Sequence, residues 1–166
     1  MDRRLSSCKI PKKKIFKLNW VLNKQIAIGN VPESQEDFDK LTGFGIKSII
    51  SLCNEEEASF SERFSRLFKF ERYILPDHKS SRSPRLSQLN AALSLIKVNL
   101  KYGPIFIHCF AGVERSPLVC MAWLVKECKL TSEQALDYLM QINPGTCPLP
   151  EQISTLRQLE REKDNL

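Results

Sequence analysis

The chain has 166 residues, 42% hydrophobic and 27% charged, with a formal net charge of +6. That length holds one domain with a proper core, and the balance is ordinary for a globular protein. No run of 18 apolar residues occurs, and no charged start leads into an apolar signal core, so neither a membrane span nor secretion is expected. The basic excess is local: residues 1–17 carry seven Lys and Arg against Asp2, while the other 149 residues are balanced at 18 of each sign. Residues 1–14 therefore read as a basic, flexible N-terminal arm ahead of a domain spanning 15–166. The arm is either a solvated tail or a segment for an acidic partner, such as an acidic membrane surface or a nuclear import factor. Nucleic acid is the disfavoured partner. Six cysteines, at 8, 53, 109, 120, 128 and 147, are scattered rather than set in a disulfide framework. That usage suits a reducing cytoplasm, or the nucleus of a eukaryote.

In chain order, Ile15 to Leu22 and Gln25 to Gly29 read as two short strands about an Asn23-Lys24 turn. Ser34, followed by Gln35-Glu36-Asp37 and by Phe38 and Leu41 at helical spacing, opens a capped short helix ending at Gly43. Ile46 to Leu52 is a strand, closed by Cys53-Asn54 and three glutamates. Phe60, Phe64, Leu67 and Phe68 recur as one apolar helical face. Phe70 to Leu75 is a further strand, stopped by Pro76, and a polar, basic loop runs from Asp77 to Pro84. Leu86, Leu89, Leu93, Ile96 and Leu100 place a helix over about residues 85–101, ended by Gly103-Pro104.

Ile105-Phe106-Ile107 is too short for a helix and rich in strand formers. His108 and Cys109 follow, then five residues including Gly112, then Arg115-Ser116-Pro117. Leu118, Val119, Ala122, Trp123 and Val125 continue at helical spacing, with Pro117 in a first turn where its missing N–H costs nothing. The reading is buried strand, tight loop, helix. Such a loop aims successive N–H groups and the positive helix end at one point, which makes an anion site. The same field favours the thiolate of Cys109, a free cysteine otherwise titrating at about 8.5. Arg115 offers a planar fork for two phosphate oxygens, and Ser116 is placed to hydrogen-bond the sulfur as it leaves. Beyond the motif, Thr131 opens a helix broken by Asn143-Pro144-Gly145, and Pro150 opens a last one carrying Ile153, Leu156 and Leu159. Strands alternating with helices argue an α/β sandwich whose ligand sits at the C-terminal strand ends.

His108-Cys109-Phe110-Ala111-Gly112-Val113-Glu114-Arg115-Ser116 resembles the His-Cys-x5-Arg-Ser/Thr signature of the cysteine-dependent protein phosphatases. Rhodanese-type sulfurtransferases share a cysteine-headed anion loop, but Gly112 and the Arg115-Ser116 ending favour the phosphatase. From about Asn23 to Glu160 the order of elements looks like the dual-specificity branch. That resemblance implies a central mixed sheet of about five strands flanked by helices on both faces, with the signature loop after the central strand. It implies Cys109 as nucleophile and the amides of Phe110, Ala111, Gly112, Val113, Glu114 and Arg115 as phosphate cradle. Arg115 is then the clamp, Ser116 eases release of sulfur, and His108 supports the loop from behind. No cofactor and no metal is expected.

Cleavage of a phosphate ester also needs a proton for the departing oxygen. The family takes it from an aspartate roughly thirty residues upstream of the cysteine, and Asp77 lies 32 residues before Cys109. Without the resemblance Asp77 reads as a turn or capping residue. Glu55 to Glu57 and Glu114 are less well placed, and in the family a side chain at the position of Glu114 turns out of the cradle. The stretch Asn143 to Pro150 departs from the family's usual arginine-and-asparagine pattern, which bears on substrate detail rather than chemistry.

Phosphotyrosine and phosphoserine/threonine proteins are the substrates this branch implies. The signature loop lacks the lysines that phosphoinositide phosphatases often carry there, although Lys79, Arg82 and Arg85 lie near enough in sequence to serve a second phosphate. Polynucleotide 5′-phosphatases and glucan phosphatases share the same chemistry. A non-catalytic phosphoprotein-binding module would have no need of Cys109, Arg115 and Asp77 together. Finally, Ile49 to Glu57 and Pro76-Asp77-His78 resemble lipid-phosphatase relatives of the phosphatase-and-tensin type. In those relatives a cysteine at the position of Cys53 pairs with the nucleophile on oxidation. A small buried hydrophobe is the other reading of Cys53.

Overall fold

Five strands, each containing β-branched or aromatic residues, form in the computed structural model, which describes residues 14–80 and 82–164. They are β1 (Leu18–Leu22), β2 (Ile26–Gly29), β3 (Ser48–Ser51), β4 (Lys69–Arg72) and β5 (Ile105–His108). The α-helices of the described residues are α1 (Gln35–Gly43), α2 (Leu86–Asn99), α3 (Arg115–Lys126), α4 (Ser132–Ile142) and α5 (Pro150–Asp164). The sheet order is β1-β2-β5-β3-β4; β1 runs antiparallel to β2 and the other pairs are parallel. This is the mixed five-stranded sheet expected, with β5 at its centre.

Alternation along the strands decides what covers each face. Ile26, Ile28, Ile50, Ile105 and Ile107 point into one core, closed by apolar residues of α2, α3, α4 and α5. Ala27, Ile49 and Phe106 point into the other, closed by Phe38 and Leu41 of α1 and by Phe64 and Phe68. Helices therefore cover both faces, four against one. Capping boxes at Ser34 and Thr131 start α1 and α4 where the sequence places them.

The segment 60–68 departs from expectation. It forms a three-residue 3₁₀ turn, Glu62–Phe64, and Leu67 is exposed. Nine residues make a marginal helix, and Ser65 spends its hydroxyl on the Glu62 carbonyl at 2.6 Å. The phenylalanines are used as a stacked aromatic cluster instead: Phe64 lies on Phe38 at 3.7 Å between ring centroids and Phe60 on Phe70 at 4.0 Å. The strand expected to reach Leu75 stops at Arg72, although Tyr73 and Leu75 still donate to Ser51 and Leu52. Upstream of β1, Phe16 packs against Phe106 at 5.6 Å rather than pairing in the sheet. The basic arm lies, apart from Lys14, outside the described residues. No helix among the described residues is long and apolar enough to cross a membrane.

The consequence for function is positional. His108, the last residue of β5, stands between Gly29 of β2 and Ser51 of β3, and its carbonyl accepts from Leu52 N–H at 2.9 Å. The C-terminal ends of three parallel strands thus converge where the loop to α3 begins.

Candidate active site

The loop 109–114 links buried β5 to α3, a helix whose residues Arg115 to Val125 are all buried. A turn this tight needs Gly112 at φ 72°, and a Cβ there would stand 2.8 Å from the Gly29 carbonyl. The loop carbonyls are tied to groups outside it. Phe110 O accepts from Val31 N–H (3.2 Å) and Lys14 Nζ (3.0 Å). Gly112 O accepts from Asn143 Nδ2 (2.9 Å), and Val113 O from Cys147 N–H (2.8 Å). Among the described residues no protein acceptor takes up the N–H groups of Phe110 to Arg115. The loop thus offers its donor edge, and the open N-terminus of α3, to whatever enters the cleft.

That cleft has a volume of about 330 Å³, and Cys109, Arg115, Asp77, Glu57, Lys79 and Glu114 are among its lining residues. Cys109 is almost fully buried at its base, with Sγ 3.2 Å from Ser116 Oγ in the first turn of α3. His108 is buried and does not line the cleft; its Nδ1–H donates to the Cys109 carbonyl at 3.1 Å. Burial pushes its imidazole down to about 4, so the ring is a neutral brace near pH 7.

Arg115 is fastened by a residue the sequence reading set aside. Glu57 Oε1 accepts from Nη2 at 2.8 Å and Oε2 from Nη1 at 3.1 Å, while the Leu52 and Leu75 carbonyls also accept from Nη1. Burial works against the guanidinium charge, but the Glu57 bonds outweigh it and raise the Arg115 pKa. The same bond holds the Glu57 carboxyl below its usual range. Glu57 is set in turn by Asn54, whose N–H and Oδ1 exchange bonds with it at 3.0 and 2.8 Å. Arg72 of β4 pins this turn, donating to the Cys53 and Ala58 carbonyls at 2.7 and 2.8 Å. Glu57 occupies the Nη1/Nη2 edge of the guanidinium. The parallel Nε–H and second Nη2–H of the other edge are left for two further oxygens.

Asp77 is both a turn residue and a cleft residue: its Oδ1 accepts from the N–H of Lys79 (3.0 Å) and Ser80 (3.1 Å). Glu114 turns its carboxylate to groups outside the cradle. It lines the cleft, accepts from Gln152 Nε2 at 2.7 Å and meets His78 Nδ1 at 3.2 Å. Among the described residues no group of three His, Cys, Asp or Glu side chains is close enough to hold a metal ion.

The family model for the dual specificity phosphatase catalytic domain matches residues 26–162. The chain belongs to that family. It is 22% identical over 141 residues to phosphatidylglycerophosphate phosphatase PTPMT2 of Arabidopsis thaliana, covering 84% of this chain and 61% of that protein. It is 33% identical over 89 residues to human dual specificity protein phosphatase 5, covering 53% of this chain and 23% of that one. The chain thus spans less than two thirds of either curated relative. Among solved structures, the active form of Tk-PTP superposes with a TM-score of 0.76 at 23% identity, over 87% of this chain and 96% of that one.

The structure brings Cys109, Arg115, Asp77 and the loop residues Phe110, Ala111, Val113 and Glu114 to one cleft, with Ser116 buried behind Cys109. Cys53 is fully buried at the end of β3, beside the end of β5, and burial pushes its thiol up to about 12. Arg82 and Arg85 stand outside the cleft, whereas Lys79 is in its wall. Two contributors were missed in the sequence, Glu57 and Asn143. The signal for Glu57 was an acid run placed just after a strand parallel to the motif strand.

Proposed function

We propose that this chain hydrolyses phosphate monoesters through a cysteinyl-phosphate. The observation that carries the reading is the convergence of Cys109, Asp77 and the open edge of Arg115 on one cleft beneath a loop of unused N–H groups. Cys109, as thiolate, attacks phosphorus in line; the S–P bond forms as the P–O bond to the leaving group breaks. Arg115 and the loop N–H groups hold the three equatorial oxygens, whose charge grows in the transition state. Asp77 hands its proton to the departing oxygen. Water then attacks phosphorus, Asp77 takes its proton, the S–P bond breaks, and Ser116 Oγ stabilises the returning thiolate.

The finer reading is a phosphoprotein substrate carrying phosphotyrosine or phosphoserine/threonine. It draws on relatives named dual specificity protein phosphatases and on a cradle carrying Glu114 and no lysine, which disfavours a headgroup with several phosphates. A phospholipid headgroup is the second reading, favoured by the PTPMT2 relationship and by Lys79 in the cleft wall. A reducing compartment, cytoplasm or nucleus, suits a thiol nucleophile and the free cysteines at 53, 109, 120, 128 and 147.

The test is phosphate release from phosphotyrosyl and phosphothreonyl peptides, phosphatidylglycerophosphate vesicles and 5′-phosphorylated RNA, with the wild-type chain and Cys109→Ser. Peptide hydrolysis lost in Cys109→Ser is the expected result. Preference for the vesicles selects the lipid reading, and no Cys109-dependent release from any substrate refutes the chemistry.

A further inference from the structure

We propose that Glu114 is a positioning residue for the general acid: through His78 it ties the loop bearing Asp77 to the signature loop, with Gln152 of α5 as its anchor. The inference rests on the reading of Asp77 as proton donor.

Glu114 is the N-cap residue of α3, where a side-chain acceptor ordinarily takes a first-turn N–H. It makes no such bond. Its carboxylate is divided between two distant partners: Oε1 accepts from Gln152 Nε2 at 2.7 Å and Oε2 meets His78 Nδ1 at 3.2 Å. A carboxylate that forgoes its local cap leaves the helix N–H groups free for phosphate and uses its oxygens to join three parts of the chain.

The anchor side is rigid. Gln152 is 1% exposed, and its Oε1 accepts from Leu149 N–H at 2.9 Å, which fixes which end of the amide faces Glu114. Glu114 itself has a side chain only 13% exposed, so water competes weakly for its oxygens. The other side is more exposed. Residues 77–80 are shaped by their own turn bonds at Asp77, and His78 has a side chain 59% exposed. Among the described residues, the His78–Glu114 contact is the hydrogen bond joining residues 77–80 to the signature loop. His78 is the immediate neighbour of Asp77, so holding its ring limits where the Asp77 carboxyl can go. Proton transfer needs heavy atoms within roughly 3 Å, and misplacement by about 1 Å costs on the order of 10²-fold.

The test compares kcat and KM of the full chain on an alkyl phosphate and on an aryl phosphate with an acidic leaving group, which departs without a proton. Asp77→Asn sets the full loss of general-acid help, on the order of 10²–10⁴-fold on the alkyl ester. Glu114→Ala should lower kcat on the alkyl ester by roughly tenfold more than on the aryl ester, with little change in KM. Glu114→Gln keeps an oxygen for Gln152 and offers an N–H to the His78 ring in the tautomer whose Nδ1 accepts, so its ratio between the two esters should stay near wild type. His78→Ala, at an exposed position, should reproduce the Glu114→Ala pattern even if that variant folds poorly. The double variant Glu114→Ala/His78→Ala should be no worse than either single one, because both break one link. Equal losses on the two esters, or losses that multiply in the double variant, overturn the Glu114–His78 tie and leave the phosphatase reading intact. A wild-type chain without Cys109-dependent hydrolysis overturns both.

Discussion

At Arg115 two anions compete for one guanidinium, and the planar fork resolves the competition by its edges. Glu57 takes the Nη1/Nη2 edge, which fixes the plane and leaves the Nε/Nη2 edge for phosphate. Lysine has no second edge, so Arg115→Lys should lose most activity even with its charge kept. Glu57→Gln keeps the shape but replaces one acceptor by a donor that faces the guanidinium. Turnover should fall by about tenfold, the cost of roughly one charged hydrogen bond. The pH dependence of stability is a separate test. The Arg115 bond lowers the Glu57 pKa below its ordinary 4.5, so the folded state binds that proton less readily than the unfolded chain. The pair therefore stabilises the fold above the ordinary value, and the contribution is lost as pH falls through the depressed one. Urea midpoints of wild type and Glu57→Gln should differ by a steady amount near pH 7 and converge below pH 4.5. A gap unchanged down to acid pH would mean that the ionised pair is not the source of the difference.

The signature loop is an element whose shape is imposed from outside. Its carbonyls are held by Val31, Lys14, Asn143 and Cys147, groups drawn from other elements than β5 and α3. Asn143 is the buried one among the side chains, bonding Gly112 O and Thr146 Oγ1 through Nδ2 while Oδ1 accepts from Asn19. Asn143→Ala should leave the Gly112 carbonyl unpaired, lower stability by about 1–3 kcal/mol and weaken inhibition by inorganic phosphate. Thermal melts and phosphate inhibition constants measure the two effects; unchanged inhibition would show that the cradle keeps its shape without this brace.

Local signals explain what could be read beforehand. A nucleophile, a glycine and an arginine within seven positions define their own loop, so Cys109, Gly112 and Arg115 were visible in sequence. Asn143 looked like a helix breaker and Glu57 like one of three acids less well placed than Asp77, because their partners lie 31 and 58 positions away. The turn at 60–68 was misread for a related reason: its phenylalanines keep helical spacing but serve aromatic neighbours on α1 and β4.

At the scale of the whole molecule, charge is distributed unevenly. Beyond residue 17 the positive and negative residues balance, so the net positive charge of the chain comes from the basic N-terminal stretch. That stretch joins the domain at the mouth of the cleft. Lys14 Nζ lies 3.9 Å from the centroid of the Phe110 ring and 3.6 Å from Glu33 Oε1, and Phe110 is the half-exposed first residue of the cradle. Arg3, Arg4, Lys9, Lys12 and Lys13 then precede it in the chain. Deleting residues 1–13 keeps Lys14 and every residue lining the cleft. A small aryl phosphate, which needs the cleft alone, should be hydrolysed within a few-fold of the wild-type rate. An acidic phosphopeptide is long enough to meet both, and its kcat/KM in the full chain should fall as salt rises. Screening acts over about 10 Å at 0.1 M ionic strength, so the fall should be largest between low and physiological salt. The truncated chain should show a flatter salt dependence and a lower kcat/KM at low salt. Identical salt curves for the two chains would remove the stretch from substrate capture. Loss of the aryl phosphatase activity on truncation would instead make it part of the folded domain.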